Sequence, residues 1–280
     1  GIVFNTFVFK AYSTLLRYEE IHSGRYEVRN NMSVGQLVNM LANGHQTPLR
    51  LVVGKSRTKA EFAEKIDKEL AFSKKDLLSK LNDNEFLSTF GLDSSTSLTL
   101  FIPNTYEVYW DISVEEFFKR MNREQEVFWK KRLVKLEEIG FTKIETMTIA
   151  SIVEEETNQV AEKPIIAGVY INRLKINMPL QADPTIKYAL GDFTIKRIAG
   201  KMLGVDSPFN TYKRTGLPPN PICIPSISSI DAVLNYSKHN YLFFCAKEDF
   251  SGNHNFTANI NEHYANARKY QKALNERDIY

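Results

Sequence analysis

Between Leu174 and Ser228 the chain leaves helical periodicity for a run rich in Pro, Gly, Asn and Asp, with Asp183-Pro184, Gly216 and Pro218-Pro219 along it. An irregular stretch of this length inside a compact domain is usually functional or disordered, and its aromatics and turn residues favour an ordered wall. The core must therefore come from the segments that flank it. Upstream, Thr142 to Thr157 reads as a helix and a second opens at Pro164, a residue suited to a first helical turn. Downstream come a short helix near Ser229 to Tyr236, a strand Tyr241 to Lys247, a turn through Gly252, a second strand near Asn255 and a closing helix from Asn259 to about Glu276.

The N-terminal part has shorter elements. Gly24 to Arg29 alternates like a strand, Ser33 and Gln36 form a capping box for a helix that Gly44 ends, and Leu49 to Val53 reads as a strand. From Thr58 to about Phe90 the pattern is helical, with Phe62, Ile66 and Leu70 at four-residue spacing and the lysines on a solvated face. Ser113 and Glu116 cap a long helix reaching Glu138, which turns Phe117, Met121, Phe128 and Leu136 inward, and Gly140 stops it. The pattern predicts an α+β fold. A small α/β module covers residues 1–54 and a larger helix-rich domain with a short β-hairpin covers 55–280, divided at Lys55 where short strands give way to long helices.

Charge narrows the partners. The 280 residues carry 36 basic and 33 acidic side chains, a net +3 that is too balanced for a nucleic-acid binder and leaves a largely neutral polymer such as carbohydrate open. No apolar run reaches the roughly 18 residues of a bilayer span. Cys223 and Cys245 are too few for a disulfide framework or a zinc site, leaving two separate buried thiols or a single bridge. His254 and His263 have no helical metal-ligand spacing and no third ligand, so no metal or cofactor is expected. Nucleotide-binding and serine-hydrolase motifs are absent too.

The sharpest chemical feature is Ala150 to Thr157, which carries Glu154, Glu155 and Glu156 at a helix end. Advancing about 100° per residue puts Glu156 on the apolar stripe of Ile149, Ile152 and Val153, and turns Glu154 and Glu155 away toward solvent. A carboxyl held against apolar groups loses hydration, so its pKa rises toward the range a general acid needs. Replacing Glu154 or Glu155 should then cost little. Asp183, before Pro184, suits a helix N-cap, a binding role, or both. Asn210-Thr211-Tyr212 and Thr215 to Pro219 place amide, hydroxyl and aromatic groups in a stiff loop, which suits a sugar cleft.

Taken in order, Ala150 to Thr157, Asn172-Arg173-Leu174, Gln181 to Thr185, Asn210-Thr211-Tyr212, Gly216 to Pro219 with Pro221-Ile222, and His254 with Phe256 resemble the YceG-like (MltG-type) family of endolytic murein transglycosylases. Ser23 to Gly44 looks like the latter part of that family's LysM-like module, and Ile102 to Tyr106 resembles its Pro-Asp-Thr-Tyr segment with Asn104 in place of the acid. Glu155 stands where the family often has a basic residue.

The resemblance implies that Glu156 is the catalytic acid and that Ser151, Asn172, Arg173, Gln181, Asp183, Asn210, Tyr212 and His254 bind substrate. It implies cleavage between N-acetylmuramic acid and N-acetylglucosamine with a 1,6-anhydro end, terminating nascent strands, without metal or cofactor. Its implied partners are peptidoglycan strands and cell-wall synthesis enzymes. It also implies an N-terminal membrane helix in the parent protein, anchored in the bacterial inner membrane with the catalytic part on the extracytoplasmic, periplasmic side. Two rival readings are a hydrolase pairing Glu156 with Asp183 and a peptidoglycan-binding protein without turnover.

Overall fold

The computed structural model describes residues 6–277 apart from 17, 19 and 21. Helices α1 (Thr6–Leu15) and α2 (Val34–Ala42) precede strand β1 (Leu49–Val53), helices α3 (Lys59–Asp67), α4 (Lys74–Leu81) and α5 (Asn84–Ser88), and strand β2 (Asn104–Val108). Helices α6 (Val114–Lys130), α7 (Leu133–Ile139), α8 (Lys143–Glu156), α9 (Lys163–Lys175), α10 (Asp183–Leu190) and α11 (Ile227–Leu234) come next. Strands β3 (Phe243–Ala246) and β4 (His254–Thr257) and helix α12 (Ile260–Asn275) close the chain. The fold is α+β: helix-rich, with two small antiparallel sheets.

Two apolar clusters hold it together. In the first, β1 alternates so that Leu49, Leu51 and Val53 face inward while Arg50 and Val52 face out, and it pairs antiparallel with β2 from Leu49↔Val108 to Val53↔Asn104. Those inward residues pack with Phe62, Ile66, Leu77, Phe101, Phe117 and Phe118. One core thus runs through residue 54, joining β1 to α3, α4 and α6. The second cluster centres on α8, with Ile149 and Ile152 against Ile166 and Tyr170 of α9 and Val233 of α11. Residues 222–224 pass between the two: Ile222 packs in the second cluster and Ile224 in the first, where its N–H donates to Ser56 O at 2.9 Å.

Several elements differ from the sequence reading. Gly24 to Arg29 forms no strand; Arg25 O accepts from Thr47 N and Glu27 N donates to Thr47 Oγ1, so a single loop residue takes the bonds a ladder would need. The stretch from Thr58 to Phe90 divides into three helices because Ser73 and Asp83 turn their side chains to the backbone N–H groups of Asp76 and Phe86 and cap new helices. The helix expected from Ser113 to Glu138 breaks at Lys131, where Arg132 leaves the helical path and its guanidinium takes Asp231 of α11 in two bonds of 2.6 and 2.9 Å.

Helix α9 carries the device that sets the hairpin. At Gly168 an added Cβ would lie 2.5 Å from Ser237 O and 2.6 Å from His239 Nε2, so only a bare backbone lets residues 237–239 cross here. One turn on, Asn172 Nδ2 donates to His239 O at 2.7 Å and to Tyr241 O at 3.1 Å. Together they fix the approach to β3, which pairs with β4 from Phe243↔Thr257 to Ala246↔His254. Gly168→Ala should cost about 1–3 kcal/mol, the usual range for overpacking. Chemical denaturation measures this, and an unchanged midpoint would show that the crossing segment yields freely.

Candidate active site

Helix α8 opens with a capping box between Thr142 and Glu145. Every residue from Thr146 to Val153 is then buried, so the helix has no solvent face. Polar members turn their hydroxyls back onto the helix: Thr148 Oγ1 donates to Ile144 O and Ser151 Oγ to Thr148 O, each at 2.8 Å. The last turn then delivers three acids in three directions.

Glu154 meets Lys163 Nζ at 2.9 Å and accepts from the hydroxyls of Ser226 and Ser229. Glu155 takes Arg57 in two bonds of 2.9 and 2.8 Å, with Lys55 Nζ at 2.9 Å. This corrects the expectation that both point to water: their side chains are only 14% and 13% exposed. An apolar stripe predicts a solvent side only for a helix that has one, and here the direction away from the stripe leads into α9 and α11 on one flank and residues 55–57 on the other. Burial opposes ionisation of both carboxyls, but the hydroxyl and cationic partners outweigh it and hold both below the usual range.

Glu156 differs in kind. No cation bonds to it; Tyr170 OH donates to its Oε1 at 2.5 Å. Its carboxyl is ringed by protein except for an opening onto a cavity of about 520 Å³. Burial pushes its pKa up from 4.5 to about 7, opposed by the Tyr170 bond, reinforced by the charge of Asp183 and offset in part by Lys187 and Arg173. Near neutral pH this group can both give and take a proton.

The cavity gathers residues from distant segments. Asp183 starts α10, its pKa raised by burial, which the Tyr212 hydroxyl and Lys187 only partly counter. Gln181 sits in the left-handed region at φ 50, a conformation kept there by its N–H bond to Thr211 O. Arg173 reaches in from α9. His254 sits opposite, with Nδ1 2.7 Å from Glu162 Oε2 and its backbone N–H donating to Glu162 Oε1 at 2.9 Å. A carboxylate only accepts, so Nδ1 bears a proton in this contact. Phe243 and Phe244 of β3, with Tyr264 and Tyr270 of α12, supply aromatic surface.

Of the residues singled out from sequence, Glu156, Arg173, Gln181, Asp183, Tyr212 and His254 line this cavity. Ser151, Asn172 and Asn210 lie outside its lining and hold its frame. Ser151 Oγ accepts from Ile222 N at 3.0 Å, Asn172 holds the approach to β3, and Asn210 Nδ2 spans Leu203 O and Val205 O while its Oδ1 accepts from Tyr212 N. Sequence reasoning missed Tyr170, Glu162, Phe244 and His263. A tyrosine inside an apolar helix needs a hydroxyl partner, which was the available signal for Tyr170; nothing local marks Glu162. Among the described residues no cluster of His, Cys, Asp or Glu could hold a metal ion, and Cys223 and Cys245 are free thiols. A second cavity of about 340 Å³, between Phe90, Leu92, Thr142 and Met147, carries no acid.

A helix-rich α+β frame thus surrounds one glutamate of raised pKa in a cleft of hydroxyl, amide and aromatic groups. The sequence profile of the YceG-like family matches residues 1–269, and the chain belongs to that family. It is 31% identical over 289 aligned residues to an endolytic murein transglycosylase of Bacillus subtilis strain 168, covering 96% of this chain and 79% of the relative. It is 26% identical over 276 residues to the endolytic murein transglycosylase of Streptococcus pneumoniae D39, covering 88% of this chain but only 50% of that protein. A crystal structure of a YceG-like protein from Listeria monocytogenes superposes with a TM-score of 0.68 at 30% identity, covering 94% of this chain and 91% of that one.

Two measurements test the electrostatics. Because folding raises the pKa of Glu156 from 4.5 to about 7, the folded state binds its proton more tightly, so this group's contribution to stability falls as pH rises through that window. Glu156→Gln keeps the Tyr170 bond and removes the titration; it should gain up to roughly 3 kcal/mol over wild type at pH 8 and nothing at pH 4. Urea denaturation across pH reads this difference, and parallel profiles for the two proteins would contradict it. Glu154→Gln should instead lose about 3 kcal/mol or more at neutral pH, because it strips the charge partner from buried Lys163. A loss within a few tenths would return Glu154 to the solvent-facing reading.

Proposed function

We propose that this chain is an endolytic lytic transglycosylase of peptidoglycan, with Glu156 as its one catalytic acid and base. The observation that carries the reading is a carboxyl with a pKa near 7 opening on a cleft of amide, hydroxyl and aromatic groups, which suits neutral sugar rings. The names of the curated relatives support it.

In this reading Glu156 first donates its proton to the glycosidic oxygen, and the bond from that oxygen to C1 of N-acetylmuramic acid breaks. The positive charge that builds on the ring is eased by the substrate's own N-acetyl group. Glu156, now a carboxylate, takes the proton of the muramyl 6-hydroxyl as O6 closes onto C1. One C–O bond breaks and one forms, the glutamate ends as it began, and no water enters. Tyr170 holds the carboxyl in one rotamer throughout, its hydroxyl donating more strongly while Glu156 is charged.

Asp183 serves as organiser and substrate ligand. A two-carboxylate hydrolase would need it free, whereas the Tyr212 hydroxyl already donates to its Oδ1. The substrate implies work on the extracytoplasmic side of a bacterial envelope. Anchoring of the parent protein at the inner membrane, termination of nascent strands and cooperation with cell-wall synthesis enzymes complete the reading.

The test is mass spectrometry of muropeptides after incubation with purified sacculi. Wild type should release 1,6-anhydro ends, which weigh one water less than hydrolytic ends. Glu156→Gln should lower the rate by about a hundredfold to ten-thousandfold or more, since one residue serves both proton transfers, while remaining folded. Reducing ends in place of anhydro ends would select the hydrolase, and an active, folded Glu156→Gln would remove Glu156 from the chemistry.

A further inference from the structure

Arg173 is a buried guanidinium, 6% exposed, that forms no ion pair among the described residues. Its Nε donates to Leu242 O at 2.6 Å, and its Nη1 to Pro179 O, Leu180 O and Gln181 Oε1 at 3.2, 2.8 and 3.2 Å. Every one of those acceptors is neutral. Nη2 has no partner among the described residues and is not sealed from the cavity that Arg173 lines. The guanidinium is therefore immobilised by neutral acceptors beside the Phe243 ring, without an ion pair among the described residues, and left with one amino group for a visitor.

Gln181 completes the arrangement. Nη1 can only donate, so Oε1 must be the amide atom facing Arg173, and the Gln181 NH₂ group is turned away from it with no protein partner among the described residues. The backbone at Gln181 holds a positive φ, with its N–H on Thr211 O, so the side chain is presented from a fixed, costly conformation. Both free amino groups belong to residues lining the same cleft as Glu156.

The geometry points to Arg173 Nη2 and Gln181 Nε2 as a two-donor clasp for a carboxylate carried by the glycan strand. This rests on the glycan-cleaving reading above and names the chemical group that the cleft holds besides the sugar ring. A neutral acetyl oxygen would satisfy the donors but leave the buried cation without an ion-pair partner; a carboxylate does both, and a planar guanidinium suits it best. Two sources offer this chemistry: the lactyl carboxylate of a peptide-free muramyl unit, and the free carboxylate of a stem peptide.

Neither source needs cleavage to be tested, because a monosaccharide has no glycosidic bond to break. Binding of N-acetylmuramic acid and of its methyl ester is measured by NMR titration, alongside N-acetylmuramyl-L-alanyl-D-isoglutamine and its ester. Wild type should prefer at least one acid over its ester by about tenfold or more, the worth of one charge-assisted hydrogen bond, and the acid preferred identifies the source. Gln181→Leu, at an exposed position, should reduce that preference severalfold. Arg173→Lys should do the same if it folds, and the Gln181 variant decides the matter if it does not. Equal binding of acid and ester in both pairs, or a preference unchanged in Gln181→Leu, overturns the clasp. Anhydro-end release measured in parallel separates the two proposals: without it the catalytic reading falls while an acid preference still supports the clasp, and with it equal binding sinks the clasp alone.

Discussion

The C-terminal end of a helix is the wrong place for three consecutive carboxylates. The unpaired carbonyls there make the last turn negative, and in this protein the turn is also half-buried, so each charge loses water as well. The fold answers each acid separately. Glu154 is neutralised by Lys163 and two serines, and Glu155 by Arg57 and Lys55. Glu156 receives no cation and stays protonated to about neutral pH. Two of the three must be compensated for the third to be left poised, because uncompensated neighbours would drive its pKa far above the working range.

Those compensations also assemble the molecule. Arg57 and Lys55 lie on the segment between β1 and α3, so the Glu155 pair ties the first apolar cluster to the end of α8. Ser226 and Ser229 sit at the start of α11, so the Glu154 network closes the other flank. The side chains that solve the electrostatics of one helix end thereby fix that end against the N-terminal body and the C-terminal helices. Displacing either partner would move Glu156 as well, since the three residues share one helical turn.

Much of this was readable from residues with local meaning. Ser33 with Gln36, Ser113 with Glu116 and the alternation of Leu49, Leu51 and Val53 act within a few residues of themselves, and the elements they start are where such signals place them. Glu156 stood out because Ile149, Ile152 and Val153 share its side of the helix. The same wheel gave the wrong surroundings for Glu154 and Glu155, because periodicity records which residues are apolar and is blind to a helix buried all round. The breaks at Ser73, Asp83 and Lys131 arise from side chains competing for backbone or reaching Asp231, contacts that propensity averages away. Glu162, nearly a hundred residues from His254, could be found only in three dimensions.

Helix α9 shows why the cleft tolerates so irregular a wall. One side of it offers Gly168 and Asn172 to residues 237–241, and another turns Tyr170 to Glu156 and Arg173 to the carbonyls of residues 179, 180 and 242. Outside α10, the segment from Leu174 to Ser228 is therefore ordered with little regular structure of its own. Its backbone polar groups are satisfied by side chains of a rigid helix, Arg173 taking two carbonyls of the wall and a third at the mouth of the hairpin, and by Asn210 and Thr211 within the wall itself. Loops satisfied in this way gain positional precision from the scaffold while keeping backbone shapes no helix or strand could adopt, such as the left-handed turn at Gln181. A substrate cleft needs that combination, because donors must meet a sugar from angles that regular elements do not offer.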